Sequence, residues 1–274
     1  MNPVSAGLAS STFVAASGDG YERVMGRWSR RLAPLFLDFA GSAPGERVLD
    51  VGCGTGHLAY TLAERGQASE IRAVDLAVPY VEHAQQRNTH RHLAFEVGDA
   101  CALPYPDRAF DRVLSLLMLH FVPKTHDAIA QMRRVARPGA VVAATVWDAR
   151  GGYVANRVFW DTAAALDPDA NARRARNYTR PMTRPGELGD AWRRAGFTDV
   201  VETSLVIRME FADFDDYWSP YVGGDGPHAE YVATLDEAHR ARLLEALRAA
   251  YVDGEPDGPR SYAGLAWAVR GVAA

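Results

Sequence analysis

The chain has 274 residues, 48% hydrophobic and 23% charged, with a formal net charge of −4. That composition suits one large globular domain with additions and excludes a wholly disordered chain. The mildly acidic balance speaks against general binding to a phosphate backbone, which needs a basic surface, and Cys53 and Cys101 are too few for a disulfide framework or a zinc site of their own.

Residues 1–20 are rich in Ser, Ala and Gly and carry no Lys or Arg, so the positive start of a secretory signal is missing. They read as a flexible tail, followed by a single domain over 21–274. No apolar run approaches the ~20 residues of a membrane helix. A cytoplasmic protein with reduced thiols and no membrane partner is the expectation. Tyr21–Ser29 reads as a short helix. From 43 to 147, short apolar runs alternate with amphipathic ones. Arg47–Val51, Ile71–Asp75, His92–Val97, Phe110–Leu117 and Val141–Trp147 read as strands. Helices begin near His57 and cover Tyr80–Arg91 and Asp127–Arg137. This alternation predicts right-handed crossovers and a parallel sheet covered on both faces.

Beyond Trp147 the rhythm changes, and 148–274 reads as cap segments and a final strand pair. Tyr153–Leu166 is helical, and 167–185, rich in Arg and Pro, reads as a loop or partly ordered cap. A short helix closes at Gly196. Val200–Phe211 is rich in β-formers. Thr234–Glu237 has capping-box spacing before a helix with Leu243, Leu247 and Tyr251 on its apolar face. Tyr262–Arg270 is the last strand, expected antiparallel to 200–211.

The strongest signal is Val48-Leu-Asp-Val-Gly-Cys-Gly-Thr-Gly56. A buried strand runs into Gly52, Gly54 and Gly56, and a helix follows. Glycines there allow a sharp turn and close approach to a ligand, and the helix start adds unpaired N–H groups. Asp75, ending the second strand, can accept hydrogen bonds from both hydroxyls of a ribose. A dinucleotide fingerprint would place its third glycine where His57 stands. Asp50 would repel a pyrophosphate. An ammonium-bearing ligand without phosphate, such as S-adenosylmethionine, suits Asp50 better.

Asp50–Gly56 resembles the first motif of class I S-adenosylmethionine-dependent methyltransferases. The resemblance extends through Ala73–Leu76, Gly98–Ala100, Leu103–Tyr105, Phe110–Asp111 and Arg137–Gly139, and is similar to the ubiquinone- and menaquinone-type branch. It implies an α/β, Rossmann-like fold: a seven-stranded, mostly parallel sheet with an antiparallel last strand and helical cap insertions. It implies S-adenosyl-L-methionine as cofactor and S-adenosyl-L-homocysteine as product. By that resemblance Gly52, Gly54 and Gly56 pack against the cofactor, with Cys53 a small side chain in the same loop. Asp50 lies near the amino group, Asp75 holds the ribose, and Leu76 lies against adenine. Asp99 and Ala100 face the adenine edge, and Leu116 offers its carbonyl. Arg27 is placed on the methionine carboxylate, with Arg23 and Arg30 competing for that role and a surface arginine the equal alternative, and Tyr21 lies beside the cofactor or packs as an ordinary helix aromatic.

Methyl transfer is an in-line displacement that needs a base only when the acceptor must lose a proton. His120 is the candidate base or, equally, a pocket wall. His57 reads as packing or capping. A small-molecule acceptor would meet Trp147, Tyr153, Arg157, Tyr178, Trp218 and Tyr221. Gly223–Gly226 reads as a lid hinge or a plain turn. The run Arg173, Arg174, Arg176, Arg180 and Arg184 is either a solvated face or a recognition surface for an anionic substrate. The competing readings are a non-catalytic S-adenosylmethionine-binding protein and a nicotinamide-dependent oxidoreductase. Nucleic acid is not an expected partner.

Overall fold

Apolar runs that alternate with helices become central parallel strands because both of their faces are covered. In the computed structural model, which describes residues 10–274, these runs are β1 (Arg47–Val51), β2 (Glu70–Asp75), β3 (Leu93–Val97), β4 (Phe110–Leu116) and β5 (Ala136–Trp147). They pair in parallel. Two longer strands, β6 (Phe197–Phe211) and β7 (Arg260–Ala273), complete a seven-stranded sheet of order β3-β2-β1-β4-β5-β7-β6. Only β7 runs against the others, pairing antiparallel with both β5 and β6.

Helices Arg27–Ala40, His57–Arg65 and Val78–Arg87 cover one face, with Phe36, Leu37, Leu58 and Val81 in its core. Thr125–Val135 and Glu187–Arg194 cover the other, where Met132 and Trp192 are fully buried. The Trp192 indole N–H donates to the Val142 carbonyl at 3.0 Å, so this large ring is buried without an unpaired donor. A third apolar cluster lies above the sheet. Helices Val154–Leu166, Pro227–Thr234 and Glu237–Val252 meet there around Phe159, Trp160, Tyr217 and Tyr251. Among the described residues, no helix is long and apolar enough to cross a membrane.

Two expectations need correction. The stretch 167–185 is not mainly loop: Pro168–Tyr178 is a helix, capped by the Asp167 side chain, which accepts from the Asp169 N–H. Pro168 sits in the first helical turn, where its missing N–H breaks no bond. The supposed tail also packs. Residues 1–9 lie outside the described residues, but Thr12 N–H donates to the Phe121 carbonyl at 2.8 Å, and Gly18–Tyr21 is a helical turn capped by Ser17.

The cover helix Arg27–Ala40 is held to the sheet by a buried guanidinium. Arg112 on β4 donates to both oxygens of Glu46 at 2.8 Å and to the Ala40 carbonyl at 2.6 Å. Arg112→Ala strands the Glu46 carboxylate and should lower unfolding stability by about 3 kcal/mol, measured by urea titration.

Candidate functional site

The strand order reverses between β1 and β4, so the crevice above their carboxyl ends is where such sheets bind ligands. The chain leaves β1 through Gly52, Gly54 and Gly56, all with positive φ (74°, 54° and 95°). A Cβ on Gly52 would lie 2.3 Å from the Met118 side chain. On Gly54 the nearest atom is a Tyr21 ring carbon at 4.0 Å, so that face of the loop is open. Asp75 ends β2 beside it. Its carboxylate accepts the Gly54 N–H and the Ala77 N–H, each at 2.8 Å. Burial raises the pKa of Asp75.

A cavity of about 600 Å³ begins at this loop. Gly52, Gly54, Asp75, Leu76, Asp99 and Ala100 line one end, and Trp147, Tyr153, Asn156, Trp160, Arg180 and His228 the other. Leu116, Leu117 and His120 lie along the same wall. Leu117 takes φ +61°, a left-handed conformation that costs a non-glycine residue about 1–2 kcal/mol. That bend starts the turn Leu119–Phe121 and brings His120 into the wall. Burial pushes the imidazole pKa well below its ordinary value, and the positive charge of Arg180 adds to this. His120 is therefore neutral at working pH.

Asp50 lies wholly buried in β1, and neither carboxylate oxygen has a hydrogen-bond partner. Burial, with the charge of Asp75 second, raises its pKa to about 8. An orphaned buried carboxyl beside an open glycine loop fits a ligand that brings a cation or N–H donors. Together with the Asp75 carboxylate, these residues fit S-adenosylmethionine, which carries an ammonium group and two ribose hydroxyls.

The cover is tied down at two carboxylates. Glu22 accepts from the Thr55 hydroxyl at 2.5 Å and from His57 Nε2 at 2.8 Å. Burial raises the Glu22 pKa, but these bonds outweigh it and bring the value to about 2. Asp225 Oδ2 accepts the N–H groups of Ala16 and Ser17 and the Tyr80 hydroxyl, each at 2.9 Å. Ser10 donates to Asp99 Oδ2 at 2.6 Å. Residues 10–15 thus run across the mouth of the cavity.

Of the residues singled out in the sequence, Tyr21, Gly52, Gly54, Asp75, Leu76, Asp99, Ala100, Leu116, His120, Trp147 and Tyr153 line this cavity. Burial raises the Tyr21 phenol to about 12. Gly56 and Cys53 are buried parts of the loop rather than cavity lining, and burial pushes the Cys53 thiol well above its usual range. Arg27 does not face the cavity. Its guanidinium pairs with Asp216 at 2.8 Å and lies 4.3 Å from the Trp28 ring centroid, so it is already committed. Arg157 pairs with Asp161 at 2.7 Å, and the Tyr178 hydroxyl donates to the same carboxylate. Trp218 and Tyr221 are core of the cap. Trp160, Asn156, His228, Asp225 and Tyr80 line the cavity without having been singled out, and no short motif marks them.

Residues 49–144 match the family described as a methyltransferase domain. The chain is 36% identical over 113 residues to a malonyl-[acyl-carrier protein] O-methyltransferase of Serratia marcescens, covering 41% of this chain and 43% of that one. It is 36% identical over 111 residues to a demethylmenaquinone methyltransferase of Renibacterium salmoninarum, covering 40% and 45%. It spans less than half the length of these curated relatives. Among solved structures, phosphoethanolamine N-methyltransferase 2 of Haemonchus contortus is similar, with a TM-score of 0.58 at 16% identity over 94% of this chain and 57% of that one. That likeness is one of fold. The sheet is the Rossmann-like one expected, mostly parallel with β7 reversed.

Two outcomes follow from the buried carboxyls. Asp50 has its pKa raised on folding, so its contribution to stability is greatest below the unfolded value and is lost as pH rises toward the folded one. Asp50→Asn should therefore match the wild-type Tm at pH about 4 and exceed it by several degrees at pH about 8, read by thermal melts. Asp225→Ala releases Ala16, Ser17 and Tyr80 together. Hydrogen exchange should then speed up over residues 12–18, with little change in β1–β5.

Proposed function

We propose that this chain, whose residues 49–144 match a methyltransferase domain family, is a class I S-adenosylmethionine-dependent methyltransferase that transfers a methyl group to a small-molecule acceptor in the cytoplasm. The reading rests on one observation. A single cavity joins the glycine loop and Asp75 to a chamber walled by Trp147, Tyr153 and Trp160. When bound, the cofactor supplies an activated methyl group on a sulfonium, with S-adenosylhomocysteine as the product.

The residues have separate tasks. Asp75 accepts from the ribose hydroxyls with the lone pairs that Gly54 and Ala77 leave open. Asp99 Oδ1 already accepts the Cys101 N–H, and Oδ2 faces the adenine edge once Ser10 yields it. Asp50, which does not line the cavity itself, would answer the ammonium group through a water, and Gly54 permits close approach. Leu76 and Ala100 pack at the base, and Leu116 offers its carbonyl. Tyr21 closes the loop from above, with its hydroxyl 3.1 Å from Ser29 Oγ. Trp147 and Tyr153, their rings 5.0 Å apart, form a wall for a flat acceptor. His120, held neutral, orients the acceptor by hydrogen bonding and is a weak proton acceptor. Positioning then carries much of the acceleration.

Calorimetry with S-adenosylhomocysteine tests this reading. Wild type should bind it, and Asp75→Asn should bind about tenfold to a hundredfold more weakly, as expected when hydrogen bonds to a charged group are lost. Undetectable binding by the wild type would overturn the proposal.

A further inference from the structure

The arginine run between the cap helices does not behave as one surface. Arg173 pairs with Asp169, Arg174 with Asp161 and Arg184 with Glu187, while Arg176 is exposed. Arg180 instead lines the cavity, with its guanidinium 4.4 Å from the Phe121 ring centroid. Three of its N–H···O contacts go to neutral oxygens: two to Asn177 Oδ1 and one to Thr12 Oγ1. A guanidinium has five N–H donors, so two are left. Among the described residues it has no ion-pair partner. Glu230 acts on it only from beyond that range, and Asp225, in the same cavity lining, is not within ion-pair distance of it and accepts Ala16, Ser17 and Tyr80 at Oδ2.

Among the described residues that line the cavity there is no other Arg or Lys, and Arg176 acts on Arg180 from outside it. His120 and His228, both buried in the same wall, are pushed well below the ordinary imidazole range by burial first and Arg180 second. Arg180 is itself lowered to about 10 by burial and stays charged. Trp147 and Trp160, 5% and 0% exposed, each keep an indole N–H without a partner. A partly desolvated cation over an aromatic ring, with spare donors and no carboxylate in ion-pair contact among the described residues, is costly unless a ligand supplies the anion.

We infer that the acceptor end of the cavity selects a flat aromatic acid, with Arg180 the specificity-determining residue that holds its anionic oxygen. This deepens the methyl-transfer reading and rests on it. The aromatic walls take the ring, and the spare guanidinium N–H groups take the charge in a fork that suits a carboxylate. The arginine run is then neither wholly solvated nor a surface for anions: one member of it is turned inward.

Salicylate and its neutral amide, salicylamide, are the probes, titrated by calorimetry with and without S-adenosylhomocysteine. Wild type should prefer salicylate by about tenfold or more, the range of a charge-assisted hydrogen bond. Arg180→Gln should lose that preference while binding salicylamide and S-adenosylhomocysteine as before, and Arg180→Lys should keep part of it. Equal affinity of the wild type for acid and amide, including no binding of either, overturns the inference. A preference that survives in Arg180→Gln does so too. Failure to bind S-adenosylhomocysteine counts against the methyl-transfer reading alone, because the acid–amide difference is also measured without it.

Discussion

The Gly54 N–H donates to Asp75 Oδ2 at 2.8 Å, and that bond ties the turn leaving β1 to the end of β2. The turn can be made only through positive-φ glycines, and the bond holds a carboxylate at the floor of the crevice. Everything above the sheet is arranged around this pair. Glu22 grips the same loop from the far side through Thr55 and His57, so the cover and the floor share one reference point. Asp50, directly below, is left as a buried carboxyl with no partner. The fold thus holds this carboxyl in its protonated form, at a cost in stability that grows as pH rises.

The cavity has two chemical characters. Near the loop it presents carboxylates, Asp75 and Asp99, and open backbone. At the far end it presents aromatic rings, the neutral imidazole of His228 and one cation. A nucleoside with hydroxyl and amino donors matches the first character, and a flat acid the second. His120 lies along the wall between the two ends, and its burial keeps it uncharged where a second cation would repel Arg180. The N-terminal stretch crosses the cavity on a few hydrogen bonds and one aromatic contact, Phe13 against Phe121 and Tyr80.

Local chemistry made much of this legible. The strand-to-glycine turn, Asp75 and Asp99 lie within strands and turns a few residues long, so spacing and residue type locate them. The periodicities of the sheet strands were equally plain. Prolines misled at 167–185 because Pro168 begins a helix instead of breaking one. Arg27 could not be separated from Arg23 and Arg30 by pattern, since its partner Asp216 lies 189 residues away. His228, Trp160 and Tyr80 carry no motif and reach the cavity only when the cap folds down.

The sequence by itself determined the sheet, the turn out of β1 and the acidic residues at that end of the cavity, because hydrogen bonding and hydrophobic period within a short stretch dictate them. Only the tertiary structure decided which charges stay unpaired. Arg180 meets Thr12 across 168 residues, and Ala16 meets Asp225 across 209. Whether an arginine finds a carboxylate depends on what the fold brings beside it. Pairing, burial and so the character of the acceptor chamber are properties of that assembly.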